Sequence, residues 1–143
     1  AWLKAQAAQA VMDVATEDPT ASRELAQSGI IGPLVELVEK GTAEGKHYAA
    51  SALAKMAQDR GVLDTIYAAG AVPPLVACLL NKAACEGAAA TIEQLASHPQ
   101  GCVALVCEGA VGPLTSCLRG GSEGTQLASA RALFLMSDTN TGV

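Results

Sequence analysis

Apolar residues recur along this chain in short helical stripes interrupted by glycine and proline. Ala50, Leu53 and Ala57 follow one another at steps of three and four, which puts them on one face of a helix. The same small-residue stripe reads Ala88-Ala89-Ala90-Thr91-Ile92-Glu93-Gln94-Leu95-Ala96 and again Ser129-Ala130-Arg131-Ala132-Leu133-Phe134-Leu135-Met136-Ser137. Leu53, Ile92 and Leu133 align at spacings of 39 and 41 residues, and an earlier copy at 6–15 has Val11 in the leucine place.

A second signature is in step with the first. It reads Gly29-Ile30-Ile31-Gly32-Pro33-Leu34-Val35, then Gly70-Ala71-Val72-Pro73-Pro74-Leu75-Val76, then Gly109-Ala110-Val111-Gly112-Pro113-Leu114-Thr115. A glycine ending a helical stretch supplies a left-handed residue. The proline after it cannot continue the old helix but suits the first turn of a new one. Each signature therefore predicts a sharp corner. Short helices are expected before the corners, over 20–28, 61–69 and 99–108, introduced by turn residues such as Asp18-Pro19 and His98-Pro99. A helical unit repeating every 40 residues or so predicts a solenoid.

Composition narrows the picture. Of the 143 residues 50% are hydrophobic, but only 3% are aromatic, with Phe134 the single Phe and Trp2 the single Trp. Such a core suits thin layers of closely approaching, alanine-rich helices. A net charge of −5, with nine Lys and Arg scattered among fourteen Asp and Glu, argues against nucleic acid as a partner. No apolar run approaches the roughly 20 residues of a transmembrane helix, and no secretory signal is evident. The five cysteines, at 78, 85, 102, 107 and 117, are odd in number and lack a CxxC pair. They read as small buried hydrophobes in a reducing compartment rather than as disulfides.

The order of short helix, glycine corner, middle helix and long helix resembles the armadillo repeat family. The match to that family's G-A/I-x-P-x-L-V and A-A-x-A-L-x-x-I-A patterns covers almost the whole chain. HEAT repeats share the period but lack the glycine corner. The resemblance implies an all-α, right-handed α-solenoid of armadillo-type three-helix repeats. Its expected divisions are the last helix of a partial repeat at 1–16, repeats at 17–57, 58–96 and 97–137, and a tail at 138–143. Repeats bury their apolar faces by stacking, so terminal repeats need polar caps. Neither end shows one, which leads us to expect that the solenoid continues beyond both ends or is covered there by a partner.

Long third helices in this family line a concave face that binds extended peptides. Importin-type members carry Trp and Asn four residues apart there. At the matching positions this sequence has Gln9, Ser51, Ala90 and Arg131 in the Trp places and Asp13, Lys55, Gln94 and Leu135 in the Asn places. Only Gln94 offers an amide like that of Asn, so recognition of basic import signals is not implied. Fourfold spacing still defines a stripe. It runs through His47, Ser51, Lys55 and Gln58, then Glu86, Ala90, Gln94 and Ser97, then Leu127, Arg131, Leu135 and Asp138. The candidate partner-binding residues are His47, Ser51, Lys55, Glu86, Gln94, Arg131 and Leu135. Arg131 is the best single anchor, because Arg is enriched among interface hot spots. The plainer reading of the stripe is solvated helix surface. Tyr48 and Tyr67 are expected to pack between helices, Trp2 to pack on a preceding helix or a partner, and Glu36, Glu39 and Glu44 to be solvated.

No catalytic constellation can be assembled. The two histidines, His47 and His98, stand beside no evident nucleophile. His98, Cys102 and Cys107 do not have zinc-ligand spacing. Gly120-Gly121-Ser122-Glu123-Gly124 lacks the strand and the Lys-Ser/Thr of a phosphate loop and reads as a flexible turn. We therefore expect no enzyme activity, no cofactor and no metal. The expected function is a protein–protein interaction scaffold whose partners are other proteins. The alternatives are an architectural subunit of a large multi-subunit complex, held by its ends and convex face, and a regulatory repeat domain of a longer protein. The expected setting is intracellular, cytoplasmic or cytoskeleton-associated, with organelle import left open.

Overall fold

Gly29, Gly70 and Gly109 have φ of 86°, 78° and 73°, and they are the residues with left-handed backbone among those described. A Cβ there would be strained, which is why the recurring corner carries glycine. The computed structural model describes the backbone of residues 2–18, 20–82 and 84–141, and the side chains of residues 6–18, 20–82 and 84–137. Through the described residues run α1 (Trp2–Glu17), α2 (Ala21–Gln27), α3 (Ile31–Lys40), α4 (Ala43–Met56), α5 (Arg60–Ala68), α6 (Val72–Cys78), α7 (Cys85–Ala96), α8 (Pro99–Cys107), α9 (Val111–Gly120) and α10 (Glu123–Thr141). The corners at Gly70 and Gly109 turn the chain by 93° and 89°. Pro33, Pro74 and Pro113 are each the third residue of the helix that follows. A backbone N–H at that position has no partner within the helix, so proline costs no hydrogen bond.

Three helices make each repeat: α2-α3-α4, α5-α6-α7 and α8-α9-α10. α1 stands where a preceding repeat would have its third helix. The long helices α1, α4, α7 and α10 pack side by side in that order, and α3 packs on both α4 and α6. The layers are close because small residues face each other. A Cβ on Gly87 of α7 would come within 2.7 Å of the Ser51 backbone N in α4. Beside it, Thr91 donates from Oγ1 to the Gly87 carbonyl at 2.9 Å and reaches the Ala50 carbonyl at 3.4 Å.

Equivalent positions form buried columns. Ala8, Ala50 and Ala89 make one, and Val11, Leu53 and Ile92 another. The largest fully buried side chains are Leu, Ile and Met, among them Leu34, Leu53, Met56, Ile66, Leu75, Leu95, Leu105 and Leu114. A cysteine recurs at the inter-repeat contact. Cys78 Sγ donates to the Val38 carbonyl at 3.3 Å, and Cys117 Sγ to the Leu79 carbonyl at 3.5 Å. Burial pushes both thiols above their usual pKa. Cys102 is likewise buried, but Cys85 is half-buried and Cys107 exposed, so the expectation of small buried hydrophobes is corrected at those two positions.

Two further expectations change. The segment 138–141, read as tail, continues α10, because the chain offers no glycine or proline before Gly142. Tyr67 is exposed rather than packed between helices, whereas Tyr48 is half-buried against the core. The side chains of Trp2 and Asp138 lie outside the described residues. Among the described residues no single helix is long and apolar enough to cross a membrane.

Asp59 ties two repeats together. Its carboxylate caps α5, accepting from the Gly61 N–H at 2.9 Å and the Val62 N–H at 3.4 Å. It also accepts from Arg23 Nε of α2 at 2.8 Å. Burial acts to raise its pKa, but the Arg23 and backbone hydrogen bonds outweigh it and hold the carboxyl below the usual value. Stability from this group is therefore present above the unfolded-state pKa of about 3.9 and is lost as pH falls through the lower folded value. Asp59→Ala is expected to cost about 1 kcal/mol at neutral pH. In chemical denaturation series the gap between variant and parent should close below about pH 4. A gap that stays constant with pH would refute this role.

Candidate binding face

The four long helices present one open face. Columns of equivalent residues cross it at the repeat spacing: Gln9, Ser51, Ala90 and Arg131 in one, Asp13, Lys55, Gln94 and Leu135 in the next. Ser51, Ala90, Gln94 and Leu135 are half-buried, while His47, Lys55, Glu86, Leu127 and Arg131 are exposed. The spacing of four along each helix and the lateral stacking of the helices bring these residues onto one surface. Its chemistry is mixed, with Lys55 and Arg131 basic, Asp13 and Glu86 acidic, and Leu127 and Leu135 apolar.

Arg131 and Glu86, among the candidates, have structural partners that the sequence did not disclose. Arg131 Nη1 lies 3.5 Å from Glu93 Oε2 of the preceding repeat. Glu93 was not among the candidates; it sits one residue before Gln94 and meets Arg131 only through the stacking of α7 on α10. An exposed pair of this kind contributes little stability, about 0–1 kcal/mol, so Arg131 can exchange Glu93 for a partner's carboxylate at small cost. Glu86 reaches the amino end of α10, where its Oε2 accepts from Ser122 Oγ at 3.5 Å. Ser122 Oγ in turn accepts from the Thr125 N–H at 3.2 Å. A carboxylate beside a helix amino terminus is favourable, so Glu86 serves the repeat junction as well as the face. His47 stacks its ring at 5.0 Å from that of Tyr48, tilted by 59°.

The glycine-rich 120–124 segment is tighter than the flexible turn expected of it. Gly120 closes α9 and Glu123 opens α10, leaving two residues between them. A Cβ on Gly121 would come 2.7 Å from the Cys117 carbonyl oxygen. Around His98, Cys102 Sγ is buried and donates to the Ala96 carbonyl at 2.9 Å, whereas Cys107 is exposed at the end of α8. Among the described residues no three His, Cys, Asp or Glu side chains gather in a metal-binding group.

Glycine corners, three-helix repeats and a continuous layer of third helices define an all-α solenoid. The chain has an armadillo-type repeat fold. It superposes on computationally designed armadillo repeat proteins for modular peptide recognition with a TM-score of 0.86 and 23% identity, over 96% of this chain and 61% of that one. A designed armadillo repeat protein in complex with the peptide (KR)4 gives 0.81 and 22%, over 96% and 62%. An engineered protein gives 0.84 and 27%, over 93% and 56%. The chain thus spans somewhat over half the length of these structures. No family model and no curated protein matches it.

Proposed function

We propose that this chain is a non-enzymatic protein-interaction scaffold that holds an extended segment of a partner protein along the open face of α4, α7 and α10. The observation that carries the reading is the in-register face itself, where exposed and half-exposed residues of mixed charge recur at the repeat spacing on a rigid support. Computationally designed armadillo repeat proteins of the same fold serve modular peptide recognition, and one such protein is in complex with the peptide (KR)4. The face here lacks the Trp and Asn ladders of importin-type members and places Lys55 and Arg131 on the same surface. With Asp13 and Glu86 beside them, it suits a segment of mixed charge rather than a wholly basic one.

Affinity capture followed by mass spectrometry would identify the partner. Titration of that partner against Lys55→Glu and Arg131→Glu then tests the face. Each reversal should weaken binding about tenfold, equivalent to roughly 1.4 kcal/mol, with the melting temperature unchanged. Parent-like binding by both variants would move the contact elsewhere. The architectural reading would then gain, because Val111 and Leu118 of α9, exposed apolar residues outside the candidate face, supply a different surface.

A further inference from the structure

The charged residues of the open face change sign from one long helix to the next. Asp13 of α1 is acidic, Lys55 of α4 basic, Glu86 and Glu93 of α7 acidic, and Arg131 of α10 basic. Asp13, Lys55, Glu86 and Arg131 are exposed, and Glu93 is half-buried. The helices stack in that order, α1 on α4, α4 on α7 and α7 on α10. The face therefore reads acidic, basic, acidic, basic along the layer.

These charges are held only loosely by the solenoid itself. Among the described residues Asp13 and Lys55 belong to no ion pair. Arg131 meets Glu93 at 3.5 Å with 60% of its side chain exposed, and Glu86 meets Ser122 Oγ at 3.5 Å. Both contacts are long for hydrogen bonds, and exposed charge contacts of this kind are weak. An incoming charge displaces either at small cost. Between the charges the floor is uncharged, with Ser51, Ala90 and Gln94 half-buried. Ser51 and Ala90 are short enough to leave room for a main chain above them.

We propose that the partner segment is an extended strand whose solenoid-facing side chains alternate in sign, basic opposite α1 and α7 and acidic opposite α4 and α10. The proposal rests on the binding-face reading and sharpens it to an order of charges. In an extended strand successive side chains point to opposite sides, so every second residue faces the helices, at intervals of about 7 Å. Packed helices lie about 8–10 Å apart, and long Lys, Arg and Glu side chains absorb the difference. One facing residue per helix then places a charge at every second position and turns the residues between to solvent. A segment with facing charges of one sign is attracted at two helices and repelled at the other two. The alternating segment is attracted at all four.

Three synthetic peptides of one composition test the order by fluorescence anisotropy with the 143-residue chain at low ionic strength. The first is three repeats of Lys-Thr-Asp-Thr, with alternating sign. The other two are block isomers, with three Lys-Thr pairs before or after three Asp-Thr pairs. The alternating peptide should bind about tenfold tighter than either block isomer. Added salt should erase most of that preference, because exposed charges are screened. Lys55→Glu changes the face to acidic, acidic, acidic, basic. Lys55 is exposed, so the variant should keep the parental circular dichroism. Its preference should invert, and the block isomer that lays three lysines over α1, α4 and α7 should become the tightest of the three. Equal binding of the three peptides by the parent chain overturns the proposal. So does a preference that Lys55→Glu leaves unchanged, or the absence of binding at millimolar concentration. The captured partner separates this failure from that of the face itself. A partner that Lys55→Glu and Arg131→Glu weaken, while the peptides bind alike, keeps the face and discards the order; a partner that neither variant affects discards both.

Discussion

Gly101→Ala is expected to lower stability by about 3 kcal/mol, at the upper end of overpacking effects, and the melting temperature by about 10 °C. A Cβ on Gly101 would run into the carbonyl oxygen of Leu95, which belongs to the backbone of the preceding helix and cannot rotate away. The equivalent residue in the middle repeat is Val62, fully buried without conflict. The links are of equal length, since Val62 follows the aligned Leu53, and Gly101 the aligned Ile92, by nine residues each. The first turn of α8 lies closer on the end of α7, and there only glycine fits. Gly112→Ala is the matched control. Nothing lies within 4 Å of its added Cβ, so it should be neutral or stabilising by about 0.5 kcal/mol. Thermal melts of the two variants decide the matter; equal effects would show that helix propensity, and not the α7 carbonyl, governs Gly101.

Leu53→Ala should cost about 2–5 kcal/mol. Leu53 is wholly buried in α4, between α1 on one side and α7 on the other. Truncation leaves a void that alanine-rich neighbours have little side chain to fill. In a solenoid this loss falls on the contacts between adjacent repeats, because stability is close to a sum of repeat and neighbour terms. Amide hydrogen exchange should therefore accelerate in α1 and α4 before α9 and α10. Uniform acceleration along the chain would indicate a single cooperative unit instead. Val11→Ala, in the equivalent place on α1, should cost less, since Val11 is slightly exposed and fewer methyl groups are removed.

The corners were legible because they rest on local backbone chemistry. Gly29, Gly70 and Gly109 need left-handed φ whatever surrounds them, and a proline three or four residues later restarts the helix. The candidate face was legible only as a spacing. His47, Ser51, Lys55, Glu86, Gln94, Arg131 and Leu135 could be placed on helix surfaces by steps of four, but their neighbours across the layer could not. Glu93 shows the limit: it lies one residue from Gln94 in sequence, and only the packing of α10 on α7 brings it to Arg131. The end of α10 was missed for a local reason, since the polar run after Ser137 was read as tail although it contains no helix-breaking residue before Gly142.

By itself the sequence determined the repeat length, the helix order and the corners, because turn chemistry and helical periodicity act over a few residues. The tertiary structure decided which faces are buried and by what. α4 and α7 are covered on both flanks, so a single apolar stripe understates their burial, and alanine at almost any position serves. It also decided that Glu86 and Arg131 have partners in adjacent repeats. Stacking joins residues about 40 apart, and no local pattern carries that information.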